Sequence, residues 1–241
     1  MEKLFGVDFG TGGCKAMVID LDGNICASAF EEYPSQHLKP GWSEQDPVMW
    51  LDAFVKTVRS CGEQMKDGFG GVLALAVTAS THNAVLLDKD SRVIRPCIMW
   101  NDQRSGDQCR RLNENYGDDI FRIGMQMPTP TWTLPQLMWL KEHEPENYAK
   151  IDRLMFTKDY IRSYITGDFC TDVVDAQGSL LFDARKNCWS PEICRMIDLS
   201  LAVLPDVRRS KEVVGRVRAE IAALTGLPEG LPVIAGCSDT A

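Results

Sequence analysis

The fold is decided by one stretch near the start of the chain, residues 4–20, which read LFGVDFGTGGCKAMVID. An apolar run leads to Asp8, a glycine-rich turn follows over residues 10–13, and a second apolar run leaves the turn. Two β-prone segments around such a turn predict a β-hairpin. The bare backbone N–H groups of the turn suit a phosphate, because they donate several hydrogen bonds to an anion without a bulky side chain between. Asp8 would lie beside those phosphates, where hydrated Mg²⁺ needs a carboxylate.

The glycine spacing of this turn differs from that of a Walker A loop and of a Rossmann fingerprint, and no helix need follow it. A plain structural hairpin is the alternative interpretation, and the hairpin residues alone leave it open. Later residues have to decide between the two.

Composition narrows the class of protein. The chain of 241 residues can bury one large core or two small ones. Its net charge of −8 argues against a nucleic-acid partner and does not suggest membrane binding. Neither a leader peptide nor a long uncharged apolar run is visible, and nine scattered cysteines without a Cys-x-x-Cys pair are typical of reduced thiols. We therefore expect a cytoplasmic protein with no nucleic-acid or membrane partner.

The rest of the chain predicts the sheet and its helices. A third strand over residues 25–33 gives three consecutive antiparallel strands, an opening that resembles that of the ribonuclease-H-like fold. Apolar runs at 72–78 and 231–235 read as buried parallel strands. The prediction is an α/β domain with a mixed central sheet flanked by helices. Among the expected helices are 48–65, 103–116 and 216–224, whereas residues 172–177 are expected to form a loop.

Polar residues follow the predicted strands at their carboxyl ends, where ligands bind in open α/β sheets. Asp102 either caps the helix expected from residue 103 or faces a ligand, and its spacing leaves both open. Asp239 comes just after the last strand, where it can sit near a bound hydroxyl or simply cap a helix. From the sequence around it, Trp132 is interpreted as a tryptophan of the hydrophobic core.

Several motifs resemble one known family. Residues 8–15, DFGTGGCK, resemble the first phosphate motif of the superfamily of sugar kinases, hexokinase, actin and heat-shock ATPases. The wider set resembles the FGGY carbohydrate kinases, and within them the xylulose kinase branch. Its order and spacing hold over essentially the whole chain, through residues 42–47, 81–82, 100–104, 157–160, 172–176 and 234–239.

The resemblance implies ATP-dependent phosphorylation of a sugar hydroxyl, with ATP and Mg²⁺ as cofactors. Such a reaction needs a base that accepts the hydroxyl proton as phosphorus is attacked. By resemblance Asp239 is that base, Asp8 serves the metal, and the nucleotide phosphates contact Thr11, Gly12, Gly13 and Lys15. The sugar contacts implied are Thr81, His82, Asp102, Trp132 (as a stacking partner) and Thr240.

Two positions depart from the family pattern. Many relatives follow the base with Asn or Gln, whereas this chain has Thr240, and xylulose kinases often have Met-His where this chain has Thr81-His82. The sequence therefore leaves the preferred sugar open.

Family members are about twice as long as this chain, so the resemblance implies that residues 1–241 are the N-terminal, sugar-binding domain without the C-terminal nucleotide domain. We expect this fragment alone to be inactive. The expected partners are a small-molecule sugar and ATP, with a possible homodimer. The alternative is a non-catalytic sugar-binding or regulatory module of the same fold, but such a module has little reason to keep both Asp8 and Asp239.

Overall fold

The structure is a computed structural model that describes residues 1–239. In that range the strands are β1 (Lys3–Gly10), β2 (Gly13–Asp20), β3 (Ile25–Glu32), β4 (Glu44–Gln45), β5 (Val72–Ala79), β6 (Ala84–Leu87), β7 (Cys97–Ile98), β8 (Arg153–Phe156), β9 (Cys170–Asp172), β10 (Phe182–Asp183), β11 (Cys188–Trp189), β12 (Asp206–Arg208), β13 (Val213–Arg216) and β14 (Pro232–Ile234). The helices are α1 (Pro47–Gln64), α2 (Gly106–Gly124), α3 (Thr133–His143), α4 (Pro145–Tyr148), α5 (Thr157–Thr166), α6 (Val173–Gly178), α7 (Pro191–Met196) and α8 (Ala219–Thr225).

The central sheet is mixed, as the sequence predicted. Within the described residues it has six strands in the order β13-β14-β5-β1-β2-β3. Strand β2 is antiparallel to both β1 and β3, and β13 is antiparallel to β14, whereas β5 is parallel to β1 and β14 is parallel to β5. The expected hairpin is confirmed, with Gly10 paired to Gly13 at its end. Strands β5 and β14 are the two apolar runs that were expected to be parallel.

Alternation along β1 decides which side of the sheet carries the polar residues. Phe5, Val7 and Phe9 are buried on one face, and the residues between them point to the other. The buried face packs against α1, which contributes Trp50 and Phe54 to the same core. Asp8 therefore points away from α1, onto the opposite face of the sheet.

A second hydrophobic cluster lies outside this sheet core. It gathers side chains of α2, α3, α7, β6 and β8, among them Leu112, Leu137, Leu154 and Ile193. Strands β6 and β8 pair antiparallel within it. The cluster anchors α3, whose first residue Thr133 donates its hydroxyl proton to a backbone carbonyl in the turn after β5.

Three expected element boundaries are wrong. Helix α2 begins at Gly106 rather than 103 and extends to Gly124, because its buried apolar face continues through Ile123. Residues 213–216 form the edge strand β13, paired to β14, so α8 begins only at Ala219. Residues 173–178 form α6 rather than a loop, since the Asp172 side chain accepts hydrogen bonds from two backbone N–H groups of its first turn.

Among the helices of residues 1–239, we find none that combines the length and the hydropathy needed to cross a bilayer.

The turn after β14 depends on a close backbone approach. Gly236 has a φ of +74°, and a Cβ on it would lie 2.1 Å from the carbonyl oxygen of Val77. Gly226, at the end of α8, has a φ of +81°, but a Cβ on it would have no neighbouring atom of the described residues within 4 Å. The two glycines thus share a left-handed backbone and differ in steric room.

We expect Gly226→Ala to lower the free energy of unfolding by about 1–2 kcal/mol, the cost of a left-handed alanine. Gly236→Ala should cost about 2–5 kcal/mol, because overpacking against Val77 adds to the same backbone cost. Urea denaturation of both variants measures the difference. Equal losses for the two variants would contradict the close approach.

Candidate functional site

The β1–β2 hairpin, whose turn at residues 10–13 is expected to bind phosphate, is held from three sides. The indole Nε1 of Trp100 donates to Thr11 Oγ1 at 2.9 Å, and Gln45 Nε2 donates to the Thr11 carbonyl at 2.6 Å. The Tyr33 hydroxyl donates to the Gly10 carbonyl at 2.7 Å. These bonds fix the turn, so its backbone N–H groups are already oriented before a ligand arrives.

Gly13 has a structural requirement of its own. A Cβ there would lie 2.5 Å from the ring of Phe30 and 2.7 Å from the carbonyl oxygen of Glu31. The glycine therefore allows β3 to pack closely against the hairpin. Contact between Gly13 and a phosphate stays a prediction.

Asp8, Lys15 and Asp239 come together beside this hairpin. Asp8 lies opposite Lys15 in β2 and opposite Thr78 in β5. Asp239 reaches the same edge because its backbone N–H donates to the carbonyl of Ala79, the last residue of β5. Burial and the nearby charge of Asp239 raise the pKa of Asp8, and Lys15 partly offsets them. A cavity of about 450 Å³ opens on this face of the sheet, lined in part by Asp8 and Lys15.

The donor set here fits a hydrated Mg²⁺. The negative charge of Asp239 helps to raise the pKa of Asp8, and a cation near both carboxylates would stabilise them. Mg²⁺ is usually held by one or two carboxylates together with water and substrate phosphates, rather than by an all-protein cage. In keeping with that, no cluster of three or more acidic, His or Cys ligands occurs within residues 1–239. Asp8 is the residue best placed to hold the ion, beside the turn that would bind phosphate.

The imidazole of His82 is buried and has one free acceptor. Its Nε2 lies 3.0 Å from the Thr131 carbonyl, which can only accept, so Nε2 carries the proton. Nδ1 is then an acceptor, and in the described part of the chain it has no hydrogen-bond partner. Burial lowers the pKa of His82 to about 4, so the ring is neutral at neutral pH. A neutral ring with an unpaired acceptor matches a hydroxyl donor, but Nδ1 is itself buried in the structure, so sugar contact by His82 stays a prediction.

The backbone of His82 is fixed as firmly as its ring. Its φ of 46° lies in the left-handed region. Its N–H donates to Asp175 Oδ1 at 3.1 Å, and its carbonyl accepts from the Thr133 hydroxyl at 2.7 Å. These two bonds hold a conformation that a histidine seldom adopts.

Trp132 and Thr81 adjoin His82. The ring of Trp132 stacks on the imidazole at a centroid distance of 4.7 Å and an interplanar angle of 26°, and it also packs against the second hydrophobic cluster. Gly178 leaves room beside Thr81, because a Cβ on it would lie 3.1 Å from Thr81 Oγ1. Sugar contact by Trp132 and Thr81 stays a prediction, and for Trp132 the packing interpretation also holds.

Asp102 is not a helix cap, which corrects one of the two interpretations of this residue. Helix α2 begins four residues later with Ser105 at its N-cap. The Asp102 carboxylate is fully buried and accepts from Arg104 and from the backbone N–H of Ser43 at 2.6 Å. Sugar contact by Asp102 stays a prediction, to which this engaged carboxylate adds no support. Thr240 lies outside the described residues.

Several polar residues near the site were given no role from the sequence. Trp100 and Gln45 hold the hairpin, and Asp175 holds His82, with Lys158 behind it. One signal was available: Lys158 and Arg162 lie on the same side of α5 as the buried Ile161 and Ile165. Charged residues on a buried helix face need partners, which marks them as members of a network.

Comparison with known proteins agrees with this geometry. The family model described as the N-terminal domain of the FGGY family of carbohydrate kinases matches residues 4–241. The chain belongs to the FGGY family of carbohydrate kinases. It is 36% identical to a xylulose kinase of Bacillus subtilis and 35% identical to one of Escherichia coli, over 100% and 98% of this chain and 48% of each relative. The crystal structure of a xylulose kinase from Rhodospirillum rubrum superposes with a TM-score of 0.95 at 28% identity, over 99% of this chain and 49% of that one. The chain thus spans about half the length of the curated relatives it matches.

The low pKa of His82 makes stability depend on pH. An unfolded histidine takes up a proton near pH 6.5, whereas the folded one resists it down to about 4, so stability is lost as pH falls through this window. At pH 5 the loss relative to pH 7 should approach about 2 kcal/mol. We expect His82→Asn to lack this loss, since asparagine tolerates the left-handed backbone and does not titrate.

Urea denaturation of both proteins at pH 7 and pH 5 tests this. The difference between the two proteins is the quantity to compare, because Asp175, whose pKa is raised to about 6, contributes in the opposite direction to both. Parallel pH profiles would contradict a buried neutral His82.

Proposed function

We propose that this chain is the sugar-binding N-terminal half of an ATP-dependent kinase that phosphorylates a hydroxyl of xylulose or a related carbohydrate. The observation that carries the proposal is the meeting of two carboxylates, Asp8 and Asp239, beside the phosphate hairpin at the end of β5. His82 follows the end of that strand by three residues, and its Nδ1 is an unpaired acceptor within the described residues. Base, phosphate turn and hydroxyl acceptor thus adjoin one strand end.

In the proposed reaction, the sugar hydroxyl oxygen attacks the γ-phosphorus of ATP while Asp239 accepts the hydroxyl proton, and ADP leaves. Asp239 suits this role because it is exposed and therefore accessible to a substrate. Thr11, Gly12, Gly13 and Lys15 would contact the nucleotide phosphates. Mg²⁺ held near Asp8 would offset the negative charge of those phosphates.

The relatives named xylulose kinase are about twice as long as this chain. We therefore propose that a second, nucleotide-binding domain completes the site and that residues 1–241 alone do not transfer phosphoryl groups, because positioning supplies most of the catalysis. We further propose a cytoplasmic protein whose partners are a small-molecule sugar and ATP. A homodimer stays a prediction.

Asp239→Asn in the full-length protein should lower kcat about 10²- to 10⁴-fold with sugar affinity kept, because it removes a proton acceptor but little volume. Asp8→Asn should instead raise the Mg²⁺ concentration needed for half-maximal rate, because a charged oxygen near the ion is lost. A coupled ADP assay over a series of ketoses and polyols, with Mg²⁺ titrated for each variant, separates the two roles. Near wild-type kcat in Asp239→Asn would refute the assignment of the base.

His82→Ala should raise KM for the sugar about 10-fold and leave KM for ATP unchanged, because one hydrogen bond to a hydroxyl is lost. His143→Ala is the matched control. The His143 ring also stacks on a tryptophan, Trp139 of the second hydrophobic cluster, at a centroid distance of 4.7 Å, and its Nδ1 lies near a backbone carbonyl. The control should keep both KM values. If His82→Ala alters the two KM values equally, or neither, His82 is structural.

A further inference from the structure

A buried ion network centres on Lys158, which is 1% exposed. Its Nζ lies 2.6 Å from Asp159, 3.0 Å from Asp172 and 3.0 Å from Asp175. Burial by itself would lower the pKa of Lys158, but the three carboxylates outweigh it and raise the pKa above its usual value. Lys158 is therefore charged and held by three partners at once.

One arm of the network reaches the sugar-binding turn. Asp175 Oδ2 pairs with Lys158, and Asp175 Oδ1 accepts the backbone N–H of His82 at 3.1 Å. That N–H belongs to the residue with the left-handed backbone, so its orientation depends on this acceptor. A shift of Asp175 would move the His82 imidazole.

A second arm reaches the catalytic turn. Asp159 pairs with Arg162 at 2.8 Å, and the Nη1 of Arg162 donates to the Ala235 carbonyl at 2.6 Å. Arg162 also donates to the Cys170 carbonyl at 2.5 Å. Ala235 directly precedes the tight turn at Gly236 that leads to Asp239.

A third contact holds the same turn through Asp172. Its Oδ2 accepts from the Ser210 hydroxyl at 3.0 Å, and the Ser210 carbonyl accepts the Gly236 N–H at 2.9 Å. Asp172 is also a partner of Lys158. Both routes to residues 235–236 therefore begin at the same buried ammonium group.

The network is not an effective source of folding stability. Two cations, Lys158 and Arg162, face four carboxylates, and desolvation of buried ions commonly cancels their attraction. Such a network does fix geometry, because an ion that moves away from its partners loses the favourable electrostatic interaction with them. The geometry fixed here is that of two turns from separate strands, β5 and β14.

We propose that Lys158 is a positioning residue that sets the sugar-binding turn at His82 and the catalytic turn at Asp239 relative to each other. It acts through Asp175 on one side and through Asp159, Arg162 and Asp172 on the other. The proposal rests on the proposed function, since it assumes that both turns serve the same reaction.

Variants at the two ends test the arms separately in the full-length protein. Asp175→Ala should raise KM for the sugar about 10-fold and leave kcat within about 2-fold, because His82 loses the acceptor for its N–H. Asp175→Asn keeps an acceptor oxygen and should bring that KM back to within about 3-fold of wild type. Arg162→Lys keeps the charge but loses the bonds of the guanidinium fork, and should lower kcat about 10-fold with KM for the sugar kept. Lys158→Met should change both constants.

Asp183→Ala is the matched control. Asp183 is also a buried aspartate that accepts backbone N–H groups and pairs with a lysine, but its contacts are with residues 185 and 186. Its loss should lower the thermal midpoint and leave both kinetic constants unchanged. If folded Asp175→Ala and Arg162→Lys behave like this control, the positioning role is refuted, whether or not Lys158→Met folds.

The NMR signal of the His82 imidazole gives a readout that needs no turnover. The described part of the chain has three histidines, and His82→Asn assigns the signal. We expect the chemical shift of this signal to change in Asp175→Ala and to remain at its wild-type value in Asp183→Ala. A wild-type protein that phosphorylates no sugar would refute the proposed function alone, whereas an unchanged His82 signal in Asp175→Ala would refute the positioning role alone.

Discussion

The pairing of β1 with β2 on one side and with β5 on the other is the constraint on which the rest of the structure depends. Because side chains alternate along a strand, burying Phe5, Val7 and Phe9 against α1 forces Asp8 onto the opposite face. A slip of one residue would exchange the two faces and bury the carboxylate. The same pairing closes the hairpin at Gly10 and Gly13, so the glycine-rich turn and Asp8 share one edge of the sheet.

The parallel half of the sheet brings the remaining groups to that edge. β14 lies beside β5, and the approach of Gly236 to Val77 is so close that a side chain does not fit between them. Asp239 is then fixed at the end of β5 by its hydrogen bond to Ala79. Thr81 and His82 follow shortly after the end of β5. The ends of β5 and β14 therefore bring His82 and Asp239 to the same candidate site.

Burial and neighbouring charges give the side chains of the candidate site different protonation behaviour. Burial keeps the His82 ring neutral, with a pKa of about 4, which leaves it suited to a hydroxyl rather than to an anion. Burial and the nearby negative charge of Asp239 raise the pKa of Asp8, and the two carboxylates together favour a cation nearby. Behind both turns lies the Lys158 network, whose members belong to α5, α6 and the residues that flank them.

The sequence by itself determined the hairpin and the mixed sheet, because these depend on local periodicity and on glycines a few residues apart. Only the tertiary structure decided what the charged residues do. Asp102 could not be interpreted alone because its partner Ser43 is 59 residues away, and Asp175 lies 93 residues from the N–H of His82 that it holds. The bounds of α2 and α8 were likewise set by partners elsewhere in the chain. Local pattern can predict a strand or a turn, but a buried charge takes its role from whichever distant group the fold brings within hydrogen-bonding distance.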